Sequence, residues 1–294
     1  MTTLTLETPF TTQLTQLIEI LPSIKIEDSD LTPLKTSLNT APLHLIELLA
    51  KLGTACRSLL VDNGYVCVRG LPLSSDVKTI LTIGIELGEI FSDLSHQSTI
   101  VSEASPCLNA KLQGNQTEQL LMHTDFAMLT QPPVATIIQC RMSDPLGDEY
   151  GRNGIAVAQH IVSKYFGSEE LELVVNTPMP FAGRTPAGED IILKTPVLTL
   201  CANSLAKVRF HPSRIHHGFR TLGLKPNKDE TRVLNTFQEM ILSVRREMIL
   251  RPGDILIVNN HTSLHDRTNC SIQLGIDGFK SRISHILFVQ EFKD

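Results

Sequence analysis

Leu121-Met122-His123-Thr124-Asp125-Phe126 is the stretch on which the reading of this chain turns. Side chains at i and i+2 of a β-strand share a face, so His123 and Asp125 can reach one metal ion while Thr124 points away. The flanks suit a strand that runs into a loop: Gln119 to Met122 lead in, and Gln131-Pro132-Pro133 breaks the chain soon after. A third partner stands roughly 140 residues later. There Pro252-Gly253-Asp254 launches the apolar run Ile255 to Val258, and an Asn259-Asn260 corner carries the chain on to His265. Arg282 follows in the strand-like run Gly278 to Val289. Two imidazoles and one carboxylate form the facial triad that holds a non-haem Fe(II) on one side and leaves the other open.

The ordered motifs resemble the Fe(II)/2-oxoglutarate-dependent oxygenases of the taurine-dioxygenase superfamily. Within it they look like the clavaminate-synthase-like branch, which includes asparagine and arginine hydroxylases. Gly64-Tyr65-Val66-Cys67-Val68-Arg69-Gly70-Leu71-Pro72 looks like the first-strand segment of that branch, and Leu87-Gly88-Glu89-Ile90-Phe91-Ser92 like the helix after it. Lys207-Val208-Arg209-Phe210-His211 resembles the arginine-bearing strand before the long helix. Pro252 through His265 matches the late strand pair, so the likeness runs over roughly residues 60 to 290.

The resemblance implies His123, Asp125 and His265 as catalytic iron ligands, with 2-oxoglutarate and O2 at the open positions. A guanidinium offers the far carboxylate of 2-oxoglutarate a planar two-donor fork, and Arg282 is the candidate, with Arg267 next in line. Gln113-Gly114-Asn115-Gln116-Thr117-Glu118 is expected to fold over the substrate, which Gln113, Asn115 and Gln116 would contact. That substrate would be a free amino acid or derivative, oxidised with succinate and CO2 as co-products. Three departures stand out. The stretch Gly151 to Val157 has Ile155 where relatives carry a 2-oxoglutarate-binding threonine, the carboxylate ligand is aspartate where the branch often has glutamate, and Ile286 stands where a second arginine is common.

Composition narrows the alternatives. With 294 residues, 41% of them hydrophobic, the chain can bury a large single core. A net charge of −5 without a basic run argues against nucleic acid as partner. No stretch approaches the ~18 apolar residues of a membrane span. The start Met1-Thr2-Thr3-Leu4-Thr5-Leu6-Glu7 carries no basic-then-apolar leader. Cys56, Cys67, Cys107, Cys140, Cys201 and Cys270 include no Cys-x-x-Cys pair and read as free thiols of a cytoplasmic protein.

Residues 1–40 read as a helical or irregular N-terminal extension, and 41–294 as one oxygenase domain. Apolar periodicity predicts a helix over 43–61, followed by a strand at Tyr65 to Val68 and a helix over 74–91. From 117 onward short apolar runs predict a mainly β fold with flanking helices near 155–166 and 228–247. A double-stranded β-helix, or jelly roll, is the version in which distant strands bring His123 and His265 together. Ser213 to Gly218, with His216 and His217, reads as a polar loop of solvated histidines. The alternative is a jelly-roll protein that binds a metal or ligand without turnover.

Overall fold

A computed structural model describes residues 2–92, 99–184, 190–201, 205–276 and 278–293. Two sheets carry the architecture. The larger has seven strands, running in the order Thr3–Thr5, Tyr65–Arg69, Ile255–Asn259, Ala135–Met142, Ile283–Phe292 and Gly88–Ile90, with Ser102–Ala104 also paired to Ile283–Phe292. The smaller has four, in the order Arg246–Met248, Asn153–Val157, Ser263–Arg267 and Leu120–His123. Pairing is antiparallel in both apart from the first two strands of the larger sheet, which run parallel.

Alternation along the central strands sorts side chains between two compartments. Ala135, Ile137, Ile255, Ile257, Leu287 and Val289 face an aliphatic core shared with the helices Thr8–Ile20, Thr32–Thr40, Leu43–Asn63 and Lys78–Leu87. Thr136, Ile138, Arg282, Ser284, Ile286 and Phe288 face the opposite way, into a cavity. Residues 2–40 belong to the first compartment: Leu14, Leu17, Ile18, Leu34 and Leu38 are buried in it. A second apolar cluster is built around Phe181, Phe210, Phe237 and Ile241, where the helix Lys228–Val244 lies. That helix starts with Asn227 and Glu230 each capping the other's backbone N–H.

Some boundaries differ from the sequence expectations. The helix expected over 74–91 spans only Lys78–Leu87, because the chain becomes a strand at Gly88. A Cβ at Gly88 would lie 1.9 Å from the Glu291 carbonyl oxygen, so close backbone pairing there requires glycine. His216 and His217 lie on a helix, Pro212–Thr221, not in a loop. Pro212 supplies a preset first helical turn, and Ile215 and Phe219 bury one face. No helix among the described residues is long and apolar enough to cross a membrane.

All six cysteines are free. Burial pushes the Cys56 thiol up to about 12, whereas Cys107 is exposed. Native protein treated with iodoacetamide near pH ~8 should therefore be carboxamidomethylated at Cys107 and spared at Cys56 until denatured. Peptide mass spectrometry reads this directly, and rapid labelling of folded Cys56 would contradict the packing.

Candidate metal centre and adjoining cavity

His123 ends the strand Leu120–His123, and its register partner across the ladder is His265. The two ring centroids are 4.5 Å apart. Asp125 lies beyond the strand, so the two-residue period does not place it; a clamp does. Its N–H donates to Asn260 Oδ1 (2.8 Å), while Asn260 Nδ2 donates to the carbonyls of Asp125 and Pro133 (3.0 Å each). Phe126 then turns the chain with a left-handed φ of 51°.

The donor atoms converge. His123 Nε2 lies 3.6 Å from Asp125 Oδ1, and His265 Nε2 lies 3.4 Å from Asp125 Oδ2. All three ligand atoms fall within 4.8 Å of one another. For metal–ligand bonds of about 2.1 Å, neighbours on one octahedral face sit about 3 Å apart, so small side-chain adjustments complete the set. His123 Nδ1 donates to the Leu121 carbonyl (2.7 Å), which leaves the Nε2 lone pair on the metal side. His265 Nδ1 is buried without a partner among the described residues, so its ring is aimed by Nε2 at the cluster and not by a hydrogen bond behind it.

Electrostatics favour the ligating states of Asp125 and His265. Burial would raise the Asp125 carboxyl, but the His265 and His123 imidazoles and the Thr136 hydroxyl (2.6 Å) outweigh it and hold it below the usual carboxylate range. Burial lowers His265 to about 4. For His123 burial acts downward as well, yet the adjacent Asp125 carboxylate carries the net shift upward. The residues present thus fit a divalent metal with one face open.

Behind the strand, Asp266 accepts two hydrogen bonds from Arg245, at 2.6 and 2.9 Å. The Asp266 side chain is fully buried, and this bidentate pair anchors the residue between His265 and Arg267.

The triad opens into a cavity of about 220 Å³. That is below the ~300–1,000 Å³ common for drug-sized ligands, so only small molecules fit. A larger depression of about 510 Å³, beside Thr130, Lys207 and His261, contains none of the triad and so is not the site. Arg282 lines the triad's cavity, is 6% exposed, and donates to Asn153 Oδ1 at 2.8 Å. Its stem crosses Gly151, where an added Cβ would come within 2.7 Å of Arg282 Cδ. Gly151 also has φ 61°, so both the space and the backbone call for glycine. Ser284, two residues on, lines the cavity with its Oγ buried and unpartnered among the described residues. Ile155, where a threonine was expected, packs in an apolar cluster. Asn153, two positions earlier, is the polar residue of that strand in the cavity.

Arg267 reaches the same cavity, but its guanidinium is committed to backbone: it donates to the carbonyls of Gly114 (2.9 Å), Gln116 (2.6 Å) and Glu118 (2.8 Å). It thus ties residues 114–118 to the strand that carries His265. Among the three candidate substrate contacts, Gln113 lines the cavity. Asn115 Oδ1 instead accepts from the Ser105 N–H (3.2 Å), and Gln116 Nε2 donates to the Ala110 carbonyl (3.2 Å).

Sequence reasoning passed over His211. Phe210 is knitted to Thr124 by paired bonds, Thr124 N–H to Phe210 O (2.7 Å) and Phe210 N–H to Thr124 Oγ1 (3.2 Å). The next residue therefore lands beside the metal ligands: the His211 and His123 centroids are 5.1 Å apart, edge to face. Burial above all lowers His211 to about 3, so the ring is neutral.

No curated protein matches the chain closely enough to count as a relative. Solved structures do match in fold. An asparagine oxygenase in complex with Fe(II), (2S,3S)-3-hydroxyasparagine and succinate superposes with a TM-score of 0.77 at 17% identity, covering 98% of this chain and 93% of that one. The non-haem iron oxygenase OrfP with Fe and α-ketoglutaric acid gives 0.69 at 17% identity, over 98% and 93%. A variant of OrfP in complex with (3S)-hydroxy-L-Arg gives 0.71 at 17%, over 98% and 94%. Residues 27–273 match the taurine catabolism dioxygenase TauD, TfdA family. The chain belongs to the TauD/TfdA dioxygenase family.

Proposed function

We propose that this protein is an Fe(II)- and 2-oxoglutarate-dependent oxygenase that hydroxylates a small amino-acid-like substrate. The observation that carries the reading is the convergence of His123, Asp125 and His265 at the floor of a cavity whose wall bears Arg282. Iron, 2-oxoglutarate and dioxygen together would supply the oxidising power, and succinate and CO2 would leave as co-products. The chain's own task is placement. His123, Asp125 and His265 hold the metal. Arg282, oriented by Asn153, offers two donors to the far carboxylate of 2-oxoglutarate, and Asn153 and Ser284 supply the polar contacts that the absent threonine would have made. Arg267 keeps residues 114–118 over the mouth.

Supporting the substrate class are the fold neighbours that hold hydroxylated asparagine and arginine, and the small size of the cavity. We also infer that the two sheets form a double-stranded β-helix core, to which Thr3–Thr5 adds an edge strand, with His123 and His265 on the smaller sheet and Arg282 immediately before the strand Ile283–Phe292 of the larger. The non-catalytic alternative is not favoured, since a cavity lined by both a triad and a buried arginine serves a co-substrate as well as a metal.

Under air, with Fe(II) and 2-oxoglutarate, the protein should release succinate and add one oxygen atom to at least one member of an amino-acid panel. Failure to form succinate with any of them would remove this reading. Arg282→Lys should raise the KM for 2-oxoglutarate by roughly 10- to 150-fold, the loss expected for a bidentate charged hydrogen bond, with little change in the KM of the amino acid. An unchanged 2-oxoglutarate KM would take Arg282 out of that role.

A further inference from the structure

We propose that His211 binds the substrate, accepting a hydrogen bond at Nε2 from one of its N–H groups, and that Gln113 creates this acceptor by fixing the ring tautomer through Ser213. The proposal deepens the amino-acid oxygenase reading and rests on it. A count of protons along three side chains carries it. Gln113 Oε1 can only accept, and Ser213 Oγ stands 3.3 Å from it, so the serine proton is directed there. Ser213 Oγ is also 3.1 Å from His211 Nδ1. With its own proton spent, the serine can only accept from that nitrogen. Nδ1 therefore carries the ring hydrogen, and Nε2 is left as a bare lone pair.

That lone pair is placed for a ligand. His211 lines the triad's cavity, and its Nε2 has no hydrogen-bond partner among the described residues. Nor does the ring join the metal set, since the donor atoms that converge are those of His123, Asp125 and His265. An acceptor at the wall, beside a ligand ring, complements the α-ammonium or side-chain amide of an amino acid lying over the open metal face. The arrangement also makes recognition conditional. If residues 113–118 swing away, Ser213 regains a proton to give to Nδ1, the ring hydrogen moves to Nε2, and a donor there meets a donor. Gln113 and Ser213 are thus positioning residues that act through His211.

The tautomer can be read without any substrate, by 15N-edited NMR of protein labelled at histidine. The wild type should show His211 protonated at Nδ1, Gln113→Ala and Ser213→Ala should shift it toward Nε2–H, and Gln113→Glu, which keeps an acceptor, should preserve the wild-type form. Binding is measured by calorimetry, titrating the proteinogenic L-amino acids into protein loaded with Ni(II) and 2-oxoglutarate without oxygen. The amino acid that binds should move the His211 Nε2 resonance. His211→Phe should weaken it roughly ten- to hundredfold, and His211→Gln, whose amide can still accept, should recover part of the loss.

An Nε2–H wild type, a tautomer indifferent to Gln113→Ala, or equal affinity in a folded His211→Phe each overturns the proposal while leaving the oxygenase reading intact. A panel in which nothing binds also overturns it, because the ligand class is then wrong. Absence of succinate formation with Fe(II) under air fails the underlying reading instead, whatever the tautomer.

Discussion

Alanine at His123, Asp125 or His265 should abolish Fe(II)-dependent succinate formation while the protein stays folded. Loss of supporting groups around a metal already costs about 10–100-fold, so removal of a ligand itself should exceed that range. Folding survives because the surroundings do not depend on the ligand heads. His123 and His265 hold their positions by strand register, and Asp125 is placed by backbone bonds to Asn260 that alanine retains. Iron content, succinate release and circular dichroism together check this. A variant with full turnover would strike that residue from the triad. Excess Zn(II) or Cu(II) should inhibit the wild type, since both stand above Fe(II) in the affinity order for such ligands.

Arg267→Met should have the largest effect on the molecule outside the triad. The side chain is 4% exposed and serves four carbonyls, those of Gly114, Gln116, Glu118 and Thr268, so a methionine of similar length leaves all of them without their charged donor. The expected cost is about 3–5 kcal/mol. Part of it would be relieved by local release of the 114–118 segment, which should appear as new tryptic cleavage after Lys111. Succinate formed without hydroxylated product should rise, because an open mouth admits water to the site. Proteolysis and coupling both at wild-type levels would show that the clamp does not hold the segment.

How much of this was legible beforehand follows from what each residue depends on. His123, Asp125 and His265 could be read because residue type, order and strand context are all local properties. The reason given for Asp125 was nonetheless incomplete: its aim comes from Asn260, 135 positions away, which looked only like a turn former. Asn153 was hidden for a similar cause. The departure at Ile155 was plain, but that the strand's polar side chain in the cavity is Asn153, two residues earlier, shows only through its bond to Arg282, 129 positions on. His211 was passed over because nothing in Phe210-His211-Pro212 announces pairing with Thr124, whereas the neighbouring His216-His217 pair drew attention and lies on a helix with His216 exposed and His217 half-buried. The early end of the helix at Leu87 was set by the Glu291 backbone, a contact no window around Gly88 contains.

The direct register of His123 against His265 bears on chain entropy as well as chemistry. Any ion gripped by both closes a loop of roughly 140 residues, about half the polypeptide, as a reversible stitch. By analogy with a disulfide spanning a comparable length, that constraint on the unfolded chain is worth about 5 kcal/mol when the stitch persists there, and the whole metal-binding energy favours the folded state when it does not. Iron supply would then govern not only how fast this protein works but how wide its margin of stability is: the metal-free chain stays folded yet opens more often, and its turnover by proteases would track the availability of the ion.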